Sequence, residues 1–395
     1  MKKLFLTVLA LCVYPYTPAS AVILKWDIPK NERLEIVRTA LVRFLVNDKL
    51  QKIYEERNII DLTCYGKKDQ TSSVKGTFSV YRKGSPDEVF RLEKQYPSDF
   101  AIDELGRYTV PKDLYIPNLR HIPTFPGKEI AQGDRWTADA ELILNTFSIP
   151  FKLIFSVEYR LAEIRKKNGA DTATITYNFL INMNLAGGKY PADFPQKILG
   201  KDEGTIYWDI ENKRPVSMNE KYRIILYFSA GGGKIEATEH QMYFDTRMKM
   251  YTPLSPEQKE QARKELKKEV PEGVDVDTDK RGLVIRLGDV LFDFDSSGLK
   301  PDSRQKLDKI IDILKKKYPD REIIVEGHTD SIGEPEYNER LSNNRARTVA
   351  EYMKSKSKTD KLSYRGFGAE RPLADNATKE GRQKNRRVEI IIKLQ

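Results

Sequence analysis

Cysteine is almost missing from this chain. Its 395 residues include two, Cys12 and Cys64, and only three histidines, His121, His240 and His328. A zinc cluster is excluded by count, and cleavage after Ala21 would leave Cys64 alone, with no intramolecular disulfide to form. H-E-x-x-H and G-x-S-x-G are absent, and AGGGK at 230–234 lacks the spacing of a phosphate loop. No internal stretch reaches the roughly 20 apolar residues of a spanning helix. The basic segments carry none of the motifs that would make charge specific for nucleic acid. No catalytic site, metal or cofactor is expected from the residues, and His328 beside Asp330 reads as a structural strand-end histidine.

What is present begins with MKKLFLTVLALCVYPYTPASA. Two lysines, a short apolar run and the small residues Ala19-Ser20-Ala21 form a secretory leader, residues 1–21. An alternative is a lipoprotein attached at Cys12, although Leu11 before it is not small. Loss of Lys2 and Lys3 takes the net charge from +10 to +8. Outside the cytoplasm that charge suits anionic envelope polymers or lipid, while alternation with glutamate (KEQARKELKKE) also fits a plain solvated face.

Residues 22–254 read as a mostly antiparallel β domain. TATITYNFLINMN alternates, GTIYWDI and PVSMNEKYRIILYF flank the polar turn ENKR, and SAGGGK separates RIILYF from IEATEHQMYF. The apolar spacing of 32–62 fits a helix about as well as two strands turning at Asn47-Asp48, and the strands are the preferred reading. The proline-broken segment 111–126 is expected to wrap the surface. Lysine and arginine inside the strands, as in YRLAEIRKK, weigh against a membrane barrel, which needs an apolar outer face. Residues 255–282 read as a linker with a polar helix, Ser255 as its N-cap and Pro256 at its first position.

Residues 283–395 alternate strand and helix, a small sheet with helices packed on it. Leu307, Ile310, Ile311 and Leu314 mark one face of a helix. REIIVEG is a strand that runs into His-Thr-Asp, a second helix starts near Pro335, and KEGRQKN forms a basic turn before the last strand. Asn338, Leu341 and Arg345 share a helical face that looks toward the strand end carrying Asp330. A carboxylate and a guanidinium held apart suit a ligand with one ammonium and one carboxylate. A structural Asp330–Arg345 salt bridge is the competing reading of the same spacing.

GHTDSIGEPEYNERLSNNRARTV (327–349) resembles the peptidoglycan-binding module shared by the C-terminal domain of outer membrane protein A, the peptidoglycan-associated lipoprotein and MotB-type stator proteins. Thr329, Asp330, Gly333, Asn338, Leu341, Ser342, Arg345, Ala346 and Val349 stand in register with T-D…G…N-x-x-L-S-x-x-R-A-x-x-V. VLFDFDSSGLKP (290–301), RGFGAERPLADN (365–376) and TKEGRQKNRRVEI (378–390) follow the family's other landmarks in order. The resemblance implies an α/β sandwich over about 283–395 in an α+β multidomain chain. It implies a pocket for the diaminopimelate of the peptidoglycan stem peptide, with Asp330 and Arg345 as its principal pair and Asn338, Asp295 and Arg386 completing it. Two departures, Ile332 where some members have a hydroxyl and Asp295 where many have Asn, leave open another diamino acid such as lysine or ornithine.

The expectation is a non-enzymatic envelope protein of the periplasm or outer-membrane surface. It would tether outer-membrane or periplasmic components to the wall, with an outer-membrane or periplasmic protein partner on residues 22–254. The rival is an envelope assembly factor whose C-terminal fold survives as a scaffold that no longer binds wall.

Overall fold

The computed structural model describes residues 21–394 except 115, 117–118, 168–169, 289–290 and 293–295. The leader with Cys12 and the site candidate Asp295 lie outside the described residues.

The N-terminal region is a sheet of long antiparallel strands. In chain order these are β1 (Arg33–Val46), β2 (Lys49–Lys68), β3 (Thr71–Lys83), β4 (Phe90–Ile102), the two-residue β5 (Tyr108–Thr109) and β6 (Leu119–Arg120), β7 (Arg135–Leu144), β8 (Phe151–Lys167), β9 (Ala170–Asn184), β10 (Lys197–Asp209), β11 (Arg214–Ser229) and β12 (Ile235–Tyr251). β12 pairs with β1, so the spatial order runs from β6 through β12 and then from β1 to β5. Among the described residues no pairing joins the β4–β5 end to the β6–β7 end. The sheet is open, not a closed barrel.

Period-two patterning sets its inner face. On β9 Ala173, Ile175, Tyr177, Phe179 and Ile181 are buried, and Ile198, Ile206 and Trp208 answer them from β10. Asn47 and Asp48 both have positive φ, the backbone of a tight hairpin turn between β1 and β2. The expectation for 111–126 is corrected for its later part, while residues 111–113 stay exposed. Ile116 and Phe125 are each 2% exposed, and Phe125 and Trp26 both meet the Trp208 ring edge-on at 4.7 and 4.8 Å. The open sheet has an apolar face, and Ile116 and Phe125 pack on it together with Leu24, Trp26 and Ile28 before β1. Burying those rings outweighs leaving the segment in water.

The C-terminal module starts with α1 (Pro256–Glu269), closed by a Ser255–Gln258 capping box. Leu266 of α1 is fully buried in the module's core, and Lys267 donates to the Val274 carbonyl at 2.7 Å. Then come β13 (Asp275–Asp279), β14 (Gly282–Leu287), α2 (Pro301–Lys317), β15 (Ile323–His328), α3 (Pro335–Ser357), β16 (Leu362–Gly366), α4 (Lys379–Asn385) and β17 (Arg387–Ile392). The pairing order is β13-β14-β17-β15-β16, with β15 and β16 parallel. The basic turn expected at KEGRQKN is the short helix α4, whose Thr378 side chain accepts from the Gly381 N–H. β13, a strand unmarked in the sequence reading, pairs with β14.

Val325 and Gly327 face α3, and a Cβ on Gly327 would run into the Ser342 carbonyl, so glycine lets helix and strand close up there. The alternate residues Glu326 and His328 face the other way. The two regions join where β4 lies parallel beside β16 (Ser363↔Phe90, Tyr364↔Arg91). Around that seam Arg57 donates to the Asp360 carbonyl, Lys393 to Asp61, and Lys354 to the Pro86 and Glu88 carbonyls.

Candidate functional site

β15 ends at His328, and the next two residues carry the site's first carboxylate. The Thr329 N–H donates to the Gly368 carbonyl at 2.9 Å, which sets where the chain leaves the sheet. Asp330 is 8% exposed. Its Oδ1 accepts from the Ile332 N–H at 3.0 Å and its Oδ2 from Arg386 at 2.7 Å. Gly333, at φ 99°, turns the chain into α3. Asn338, on the first turn of α3 and 4% exposed, donates back to the Ile332 carbonyl at 3.0 Å. The loop between strand and helix is therefore held from both sides.

Arg345 lies two turns further along α3 and is 5% exposed. Its Nε donates to the Ser296 carbonyl at 2.9 Å, and its guanidinium carbon stands 5.2 Å from the centre of the Phe292 ring. These contacts bring Phe292 and Ser296 onto the face of α3 that carries Asn338. Phe292 and Ser296 flank the segment that contains Asp295. Both Asp330 and Arg345 are described, and the ion pair of Asp330 is with Arg386, not with Arg345.

The other two blocks close around this point. Ser342 accepts from the Gly368 N–H at 2.8 Å, and Asn343 accepts from Gly366 at 3.1 Å. Asn385, with no exposed surface, accepts from the Leu373 and Ala374 N–H groups and donates to Ala374 and Asn376, whose side chain in turn accepts from Ser331. None of these latch residues was singled out as functional in the sequence. Asn385 stands inside the block 378–390, but a lone asparagine in a basic run carries no signal of its own.

Behind the site lies a buried ionic network. Glu326, His328 and Glu389 sit within 4.8 Å of one another, spacing that could ligate a cation. Their surroundings argue otherwise. Arg281 reaches both carboxylates, Arg387 donates to Glu389 at 2.9 Å and Arg286 at 3.2 Å, and Arg371 stands 3.5 Å from Glu326. A divalent ion would have to displace guanidinium groups already neutralising the acids, so these residues do not fit a metal centre. Burial and the neighbouring Arg387 lower the His328 pKa to about 3, which keeps the ring neutral. The surrounding arginines hold Glu389 at about 2, against the opposing effect of burial. His328 stacks on Phe367 with ring centres 5.7 Å apart. A separate cleft, between the two regions, is lined by Lys52, Arg82, Arg91, Arg347 and Glu351. Its arginines are each tied to a glutamate, Arg82 to Glu56, Arg91 to Glu93 and Arg347 to Glu351.

The convergence of four sequence blocks on one strand end meets a family-level match. Residues 291–386 match the OmpA family. The C-terminal module is an OmpA-family domain. Outer membrane porin F of Pseudomonas aeruginosa is 41% identical over 109 residues, 27% of this chain and 31% of that protein. The peptidoglycan-binding protein ArfA of Mycobacterium bovis is 39% identical over 106 residues, 27% of this chain and 32% of that protein. The alignments thus span about a third of either relative. The solved cell wall anchor of the T6SS from Pseudomonas aeruginosa is 29% identical and covers 33% of this chain and 93% of that one, at a TM-score of 0.29. The candidate residues Asp330, Asn338 and Arg345 and the latch residue Asn385 all fall within the matched residues 291–386.

Proposed function

We propose that this chain binds peptidoglycan noncovalently through its OmpA-family domain and so ties the β domain, at the periplasmic side of the outer envelope, to the wall. The observation that carries the reading is the joint placement of Asp330 and Arg345. One is a carboxylate on a braced loop at the strand end, the other a guanidinium on the helix face beside it, and they are not spent on each other. An ammonium from a diamino acid of the stem peptide, diaminopimelate or a plain diamine, suits Asp330, and a stem carboxylate suits Arg345 bidentately. Asn338 and Arg386 support the Asp330 loop, and the resemblance to the family adds Asp295 as a further candidate. ArfA, similar over this region, is named for peptidoglycan binding.

The mature full-length chain is mixed with purified sacculi and sedimented, beside Asp330→Ala and Arg345→Ala. Co-sedimentation of the native chain and loss with both variants, at unchanged far-UV circular dichroism, is the expected result. Failure of the native chain to sediment removes the tether. It favours the scaffold reading, to which the existing Asp330–Arg386 pair and the 65% exposed Ile332 at the mouth already lend weight.

A further inference from the structure

An antiparallel meander puts alternate hairpin turns at the same end of its sheet. Here that end gathers the β1–β2, β3–β4, β7–β8, β9–β10 and β11–β12 turns. The β3–β4 turn is taken up by Lys354 of α3, which binds its carbonyls. The other four are joined to one another. Ser148 donates to Asp193 at 2.8 Å, linking the β7–β8 and β9–β10 turns. Gln196 donates to the Tyr227 carbonyl on β11, and Asn47 and Ala237 exchange hydrogen bonds between the β1–β2 and β11–β12 hairpins.

Beneath this rim lies a stack of rings. Phe147 meets Phe194 at 4.8 Å, Tyr190 stacks on Phe194 at 5.4 Å and Phe151 meets Tyr190 edge-on. Apolar side chains of the rim face water: Ile235 is 60% exposed, Ile149 51%, Leu50 47% and Ile53 46%, and Tyr190 of the stack itself is 42% exposed. Single exposed apolar residues are ordinary, but several on one linked rim are not. The charge around them is one-sided. In segments 47–53, 145–152, 186–197 and 229–236 six exposed lysines, Lys189 and Lys234 among them, stand against three exposed carboxylates, Asp48, Asp193 and Glu236. Asp193 is already occupied by Ser148, as Lys152 is by Glu141, and Lys52 lines the cleft between the two regions, which leaves Lys49, Lys189, Lys197 and Lys234 against Asp48 and Glu236.

We infer that this rim is a membrane-docking surface that seats on an anionic phospholipid layer, with its isoleucine, leucine and tyrosine side chains in the interface and its lysines at the headgroups. Apolar side chains on these turns reach headgroup depth, and the flanking lysines add attraction to a negative surface while their stems lie along apolar material. One or two exposed apolar side chains at each turn fit a shallow, reversible seat rather than a spanning element. The geometry also separates this seat from the wall site. The pocket is at the N-terminal end of α3, while its C-terminal end holds the β3–β4 turn, and 23 helical residues extend about 34 Å. This surface stands independently of wall binding.

The test uses the mature full-length chain with vesicles of phosphatidylglycerol and phosphatidylethanolamine, and with vesicles of phosphatidylcholine alone. The chain is expected to co-sediment with the anionic vesicles, less at raised salt. Ile149→Asp/Ile235→Asp and Lys189→Glu/Lys234→Glu are each expected to weaken that binding about tenfold or more, with circular dichroism and sacculus sedimentation unchanged. No co-sedimentation with anionic vesicles overturns the inference and makes a protein the rim's occupant. Equal binding to neutral vesicles overturns it as well, as does binding that survives both pairs of substitutions. Because sacculi are measured on the same samples, loss of wall binding alone touches only the tether.

Discussion

Asp330 and Arg386 meet at 2.7 Å across 56 residues of sequence, and the contact joins the loop after β15 to the end of α4. Both side chains keep some exposure, 11% and 30%, so the pair adds only about 1 kcal/mol to stability. Its larger effect is on position. Asp330→Asn retains an acceptor for the Ile332 N–H but loses the charge that an ammonium would meet. The expected outcome is a melting temperature within a few degrees of native and a roughly tenfold or greater loss of affinity for sacculi, the magnitude of one charge-assisted hydrogen bond. Arg386→Ala should weaken wall binding less than Asp330→Asn, since it loosens the carboxylate without removing it. Affinity by quantitative sedimentation, set beside the melting temperature, checks both. Equal binding by native chain and Asp330→Asn would remove Asp330 from the site.

The buried network behind the pocket sets an acid limit on the OmpA-family domain. His328 titrates in the unfolded chain near 6.5 but at about 3 when folded, and Glu389 near 4.5 unfolded but at about 2 folded. In both cases the unfolded state binds more protons across the interval. Stability from His328 is complete above pH 6.5 and from Glu389 above pH 4.5, and each is lost as pH falls toward the folded value. The slope is up to roughly 1.4 kcal/mol per pH unit for each group. Among the described residues the α-helices all lie in the C-terminal module, so ellipticity at the helical band reports its unfolding. Melting followed there should fall steeply from pH 6.5 to 3. His328→Gln should flatten the upper part of that decline, and an unchanged profile would take His328 out of the account.

Much of this arrangement was legible in the sequence, for reasons that are local. Asn47-Asp48 accepts the positive φ of a tight turn, the alternation of β9 gives one buried face, and Leu307, Ile310, Ile311 and Leu314 recur at helical spacing. The strand end, the helix start at Pro335 and the shared face of Asn338 and Arg345 followed from the same rules. What was hidden depends on tertiary closure. β13 has one fully buried apolar residue, Val276, and shows itself only by pairing with β14. α4 is short and polar, and is held by Thr378, by Gly381 against the Asp375 carbonyl, and by Asn385. The burial of Ile116 and Phe125 follows from packing on strands distant in sequence, such as β10 with Trp208. The parallel seam of β4 with β16 pairs Phe90 with Ser363, far apart in the chain, and no pattern in either strand predicts it.

The β domain should respond to pH in the opposite sense. Asp202 points inward from β10, is 1% exposed, and burial beside Glu220 raises its pKa from 3.8 to about 9, with Arg38 only partly opposing. Arg38 is already bound to Glu220, which also accepts from Tyr177 at 2.7 Å. Asp202 is therefore a neutral acid in the folded protein at neutral pH. A folded pKa above the unfolded one means stability that is whole below pH 3.8 and lost as pH rises toward 9. Trp26, Trp136 and Trp208 are the chain's three tryptophans and all sit in this domain, so their fluorescence follows it separately from the helices. Melting by tryptophan emission should fall between pH 6 and 9. Asp202→Asn, which keeps the volume and removes the titration, should raise the melting temperature at pH 8 to 9 and level the alkaline slope. If Asp202→Asn melts lower than native at pH 9, the carboxyl is ionised and paired in the fold, and the cluster with Arg38 and Glu220 has the other charge arrangement.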